Sequence, residues 1–162
     1  MALNPDQRWL IALDIDGTLV HDDGYLSPRV AAEVKRVQDL GHLVVVATGR
    51  SAVNAIGVTK EIGLLDGKLI ASNGAVTVKI NHDHPKGFET EEVITFDPTE
   101  VLTKLINSLP DAHFAVEDAQ GVYKFHKHFP ADALGDVNHE TPLEELMHYP
   151  VSRIVVLSPE HE

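Results

Sequence analysis

Apolar and polar positions along the chain follow two rhythms. Trp9–Leu13 is a short apolar run bounded by turn residues, and it predicts a buried strand. In the next segment, SPRVAAEVKRVQDLG, residues Val30, Val34, Val37 and Leu40 recur at helical spacing. Ser27 stands as N-cap, Pro28 at the first helical position and Gly41 just past the end, so the segment predicts an amphipathic helix. HLVVVATGR predicts a second strand, SAVNAIGVTKEIG a weaker helix closed by Gly63, and KLIASNGA a third short strand ending in a turn. Strands without alternation, separated by helices, predict a parallel sheet covered on both faces with right-handed crossovers. Trp9–Leu13, Leu43–Ala47 and Lys68–Ala71 are expected side by side, giving an α/β fold class with a partial Rossmann-like sheet.

After Ala75 the rhythm changes to period two. AVTVKI alternates, VITF reads as a strand, and HFAVEDAQGVYKFHKHF reads as a hairpin turning across Asp118–Gly121. DPTEVLTKLINSLP predicts a helix capped by Asp97, with Pro98 first and Glu100 reaching back. TPLEELM repeats that grammar with Thr141, Pro142 and Glu144, and RIVVLSP predicts a closing strand. The later half is therefore expected to be a separate α+β module. The expected boundary falls in the polar loop, giving domains 1–80 and 81–162.

Composition adds limits. A chain of 162 residues, 43% hydrophobic and 23% charged, suits a globular protein with a real core. The net charge of −12 argues against nucleic acid as a partner, because backbone phosphates demand a basic face. There is no cysteine, which excludes disulfides and thiolate metal sites and fits a reducing cytoplasm. No apolar run approaches the length of a membrane span, so no membrane partner is expected.

Three polar clusters fall at the carboxyl ends of the three expected strands, where open α/β sheets bind ligands. They are Asp14-x-Asp16-Gly17-Thr18, Thr48-Gly49-Arg50 and Ser72-Asn73-Gly74. A buried carboxylate is expensive without compensation, so Asp14 and Asp16 at a strand end imply a cation, a reaction or both. Two residues apart on extended backbone, they are expected to project the same way, one to attack and one to move a proton. Gly17 permits a sharp turn after the pair. Magnesium suits a few carboxylate or carbonyl oxygens completed by water and phosphate. Thr48 offers a hydroxyl, and amides near Thr48 and Gly49 are expected to open a helix and favour a phosphate. These parts suit phosphoryl transfer through an aspartyl-phosphate.

DIDGTL after an apolar strand, then VVVATGR, then SNGA, resembles the haloacid dehalogenase-like hydrolase superfamily, and within it the Cof-type phosphatases, which carry a large α/β cap after the third strand. The resemblance implies that Asp14 is the nucleophile and a Mg²⁺ ligand. It implies that Asp16 is the general acid/base and lends its main-chain carbonyl to Mg²⁺. Thr48 would bind the phosphoryl group, with Gly49 and Arg50 completing that motif and Asn73 near the substrate entrance. The implied substrate is a small phosphorylated metabolite, such as a sugar phosphate. Such proteins also carry, after the cap, a Lys and a Gly-Asp-x-x-x-Asp loop. Neither is matched before Glu162, and GDVNHE at 135–140 reads as a cap loop.

That departure keeps a second reading open: a catalytically incompetent fragment, or a binding or assembly domain. It also implies that one neighbour of the first strand is missing, leaving an apolar edge for self-association. Blander readings stand beside the others. Thr48 is the kind of residue an N-cap needs, Arg50 can be a partner for a nearby acid, and Asn73-Gly74 is by default a tight turn. His126 and His128, two apart, and His82 and His84 in a polar loop, are more often solvated than metal-bound. Asp22 and Asp23 read as a solvated turn.

Overall fold

A computed structural model describes residues 7–21, 23–130, 133, 134 and 137–158. The chain forms two compact units, Met1–Glu92 and Val93–Glu162. The first is a five-stranded sheet of β1 (Leu10–Leu13), β2 (Leu43–Ala47), β3 (Lys68–Ala71), β4 (Val76–Ile80) and β5 (Phe88–Val93), in that spatial order. Two helices, α1 (Pro28–Asp39) and α2 (Ala52–Glu61), link the first three strands. β1, β2 and β3 run parallel, with Leu10 opposite Leu43 and Val46 opposite Leu69. Then a three-residue 3-10 turn, Ser72–Gly74, reverses the chain, and β4 pairs antiparallel with β3, Val76 opposite Ala71. The sheet is therefore mixed. The alternating AVTVKI segment extends it as an antiparallel strand within the first unit.

The helix ends obey their local chemistry. The Ser27 Oγ accepts from the Arg29 amide at 3.3 Å, and Gly41, at φ +82°, donates to the Gln38 carbonyl at 2.8 Å. The Ser51 Oγ accepts from the Asn54 amide at 3.4 Å at the start of α2. Val34 of α1 and Ala55 and Val58 of α2 are buried, as are Val44, Val46, Leu69 and Ala71 of the sheet. β1 differs from the buried strand expected. It lies at the sheet edge, Leu10 is 66% exposed, and Ile11 and Leu13 are only half-buried. Among the described residues it pairs only with β2 in the sheet order. At the other edge, β5 exposes Glu89, Glu91 and Glu92, and Glu91 pairs with Lys68 at 2.8 Å.

The second unit is a four-stranded sheet ordered β8 (Asn138–Glu140), β7 (Tyr123–Phe125), β6 (His113–Asp118), β9 (Val151–Leu157), with helix α3 (Thr99–Ser108). Alternation along β6 builds two faces. Phe114 and Val116 pack with Leu102, Leu105 and Ile106 of α3, and Ala115 packs with Tyr123 and Phe129 on the other side. The Asp97 carboxylate accepts from the Thr99 amide at 2.9 Å, but the cap position falls to Pro98 and the helix opens at Thr99, one residue later than expected. Glu100 does not reach back. Its carboxylate meets Lys104 one turn on, at 2.6 Å, a nearer and oppositely charged partner. TPLEELM forms only a short 3-10 turn, Leu143–Met147, without a side-chain cap. Of VITF, Val93 ends β5, and Phe96 makes a single bridge with Val151. In GDVNHE, Gly135 and Asp136 lie outside the described residues, and Asn138–Glu140 form β8, parallel to β7.

Candidate active site

Each of the three parallel strands hands its chain to a polar loop at the same sheet end. After β1, Ile15 is fully buried and anchors the turn: its carbonyl accepts from the Thr18, Leu19 and Val20 amides at 3.3, 3.0 and 2.9 Å. Gly17, at φ +71°, lets the chain double back and donates to the Val20 carbonyl at 2.9 Å. The loops after β2 and β3 are tied together. The Thr48 amide donates to the Ile70 carbonyl at 2.9 Å, the Ser72 amide to the Arg50 carbonyl at 2.8 Å, and the Asn73 amide to the Thr48 carbonyl at 3.2 Å. Ser72 and Asn73 both hold positive φ, +51° and +56°. Asparagine tolerates that region, whereas a serine there costs on the order of 1–2 kcal/mol. The buried Ser72, stapled to the Arg50 carbonyl, went unread in the sequence; the only signal was the SNG triplet that suggested a tight turn.

Asp14, Thr48, Gly49 and Asn73 line one cavity of 480 Å³, together with Ala47, Ile70 and Gly74. Thr48 is buried, and its Oγ accepts from the Arg50 amide at 3.1 Å, leaving the hydroxyl proton to donate elsewhere. An added Cβ on Gly49 would stand 3.0 Å from the Asn73 Oδ1, so a bare residue lets the Asn73 amide sit close. One Asp14 oxygen accepts from the Ile15 amide at 2.8 Å.

Asp16 and Arg50 are not in that lining. Instead they face each other: Nε reaches Oδ2 at 3.0 Å and Nη2 reaches Oδ1 at 2.5 Å. The two carboxylates therefore do not serve one cavity as expected. β1 ends at Leu13, the backbone turns at Ile15, and period-two projection stops with the strand. The guanidinium hydrogen bonds hold the Asp16 carboxyl below its ordinary pKa, against a smaller opposing effect of burial, with the Arg50 charge adding to them. A second expectation also changes. The helix after β2 starts at Ala52 with Ser51 as cap, so the Thr48 amide belongs to the sheet end and not to a helix N-terminus.

The oxygens around Asp14 decide whether the site suits magnesium. Among the described residues no group of three or more His, Asp or Glu side chains is arranged to hold a metal. The smaller set Mg²⁺ accepts is present, however. Asp14 has one oxygen not used by Ile15, and the turn's amides bind the Ile15 and Val20 carbonyls, so no described hydrogen bond ends on the Asp16 main-chain carbonyl. One carboxylate and one carbonyl, completed by water and phosphate, fit the ion. The histidines serve other partners. His126 Nδ1 takes the Phe114 amide at 3.2 Å, and His113 Nδ1 meets the His128 carbonyl. Asp22 lies outside the described residues, and the Asp23 carboxylate accepts from the Tyr25 amide at 3.0 Å.

Known proteins share this fold. A solved haloacid dehalogenase-like hydrolase from Bacteroides thetaiotaomicron superposes with a TM-score of 0.70 at 20% identity, covering 94% of this chain and 59% of its own. The subclass IIB sugar phosphatase BT4131 superposes at 0.68 and 18% identity, covering 93% and 58%. In sequence, the 5-amino-6-(5-phospho-D-ribitylamino)uracil phosphatase YitU of Bacillus subtilis is 30% identical over 99 residues, 61% of this chain and 34% of its own length. The chain thus spans about a third of that curated relative. No described helix is long and apolar enough to cross a membrane. The profile of haloacid dehalogenase-like hydrolases matches residues 11–154, from β1 through the turns around Asp14, Thr48 and Asn73 into β9, and the chain belongs to that family.

Proposed function

We propose that the chain is the phosphate-handling part of a Mg²⁺-dependent phosphatase that hydrolyses a small phosphorylated metabolite through an aspartyl-phosphate on Asp14. The observation that carries this reading is the single cavity shared by Asp14, Thr48 and Asn73, residues from three strand ends. Asp14 attacks phosphorus, forming the acyl phosphate, and the leaving alkoxide takes a proton from Asp16, which can carry one only once its carboxyl is off the Arg50 guanidinium. Water then attacks the same phosphorus as Asp16 takes its proton back, and inorganic phosphate leaves with Asp14 restored. The Thr48 hydroxyl donates to a phosphoryl oxygen, and Asn73 holds the entrance side. Magnesium, held by the Asp14 carboxylate and the Asp16 carbonyl, would supply charge neutralisation to the phosphoryl oxygens.

A sugar phosphate or a related phosphorylated polyol is the favoured substrate class. The relatives named for their substrates, YitU and BT4131, act on a phosphoribityl compound and on sugar phosphates. The absence of cysteine supports action in a reducing compartment such as the cytoplasm. The test is phosphate release from an aryl phosphate with magnesium, for the native chain and for Asp14→Asn. Loss of several orders of magnitude is expected in the variant. Equal rates reject the nucleophile. A native chain that binds phosphate but releases none supports the competing reading, a binding or assembly domain.

A further inference from the structure

Both oxygens of Asp16 are occupied by one guanidinium, in the planar fork that Arg makes with carboxylate or phosphate. The partners are 34 residues apart in sequence and come from two different strand ends. The Arg50 main chain is fixed at both its polar groups, its amide to Thr48 Oγ and its carbonyl to the Ser72 amide, so only the side chain is free to swing. That swing starts beside the cavity, because Thr48 lines it. The ion pair is open to water, with side-chain exposures of 34% for Arg50 and 62% for Asp16. Exposed pairs contribute little to stability and exchange partners at small cost. A phosphoryl group presents the same two-oxygen edge to the fork with more charge.

We propose that Arg50 is an exchangeable clamp: it parks the Asp16 carboxylate outside the cavity until a substrate phosphate takes its place on the guanidinium. This rests on the phosphatase reading for its purpose. The proton carrier then enters only when the cavity is filled.

The test is a double-mutant cycle read by binding. Inorganic phosphate is titrated, with magnesium chloride throughout, into the native chain, Asp16→Asn, Arg50→Ala and the double variant. Affinity comes from amide shifts around Thr48 and Asn73, and the Arg50 Nε–H resonance is followed where the residue is present. Exchange predicts that phosphate shifts the Arg50 Nε–H saturably. It also predicts that Asp16→Asn tightens binding about fivefold or more with Arg50 in place and leaves it unchanged in the Arg50→Ala background. If Asp16 only repels phosphate, the tightening persists or grows without Arg50, and the clamp is rejected. An unmoved Nε–H, or no phosphate binding at all, rejects it too. Turnover is assayed separately: a chain that shows the coupling but releases no phosphate keeps the clamp and loses the phosphatase, and the reverse result does the opposite.

Discussion

Protonation of His126 opposes folding, and its surroundings say why. Burial of the ring lowers its pKa below the ordinary value of about 6.5, only partly countered by the Phe114 backbone, while Lys127 and His113 add repulsion. The unfolded chain therefore takes the proton first as pH falls. The stability that His126 contributes as a neutral ring is complete above about pH 6.5 and is lost as pH falls from there through the lower folded pKa. In His126→Gln, which keeps an acceptor for the Phe114 amide, the fall in urea midpoint between about pH 7.5 and pH 5 is expected to shrink. An unchanged slope would put the pH dependence elsewhere. Asp16 works at the opposite end: held ionised by Arg50, its contribution is present above about pH 3.9 and lost only below it, and exposure keeps it small. At this scale the sequence displayed Asp14 and Thr48, each directly after a strand end, and Asn73, two residues past one. It hid the direction of Asp16, because the group that aims it lies 34 residues downstream.

Among the elements, β6 and β9 carry the most consequential polar pair. Glu117 and Arg153 stand directly opposite in the register, the guanidinium lies 3.0 Å from the carboxylate and over the Tyr123 ring, and Glu117 is only 1% exposed. Replacing Arg153 with Met leaves that buried carboxylate short of its ion-pair partner and is expected to cost roughly 3 kcal/mol. Urea unfolding checks it, and a change within about 0.5 kcal/mol would show that Glu117 is compensated by other groups. Arg153→Lys, which keeps the charge but not the fork, is expected to fall between. The first and third helices were legible from local contacts at their starts, Ser27 and Asp97, since such contacts join near neighbours in sequence, whereas α2 was expected to open near Thr48 and its Ser51 cap was not read. VITF and TPLEELM were not. What fixes Phe96 is Val151, far along the chain, and local pattern carries no trace of such a partner.

At the scale of the molecule, the first unit ends in two unlike borders. Among the described residues no strand pairs with the outer side of β1, where Leu10 is 66% exposed, while β5 offers glutamates. Charge on an edge strand discourages pairing and an apolar edge invites it. Association of two copies through β1, related by a two-fold axis, is the expected outcome, seen as dimer mass by light scattering at high concentration. Leu10→Lys is expected to return the chain to monomer, and a native chain that stays monomeric rejects the contact. The order of the parallel strands was readable from the alternation of strand and helix, but the antiparallel extension was not, because the Ser72–Gly74 reversal depends on hydrogen bonds to the neighbouring loop. The asymmetry of the borders also limits how far copies can add. Two sheets joined at their bare sides make one ribbon whose outer rims both bear negative charge, so a third copy meets only repulsion, and growth that begins at this sheet halts at a pair.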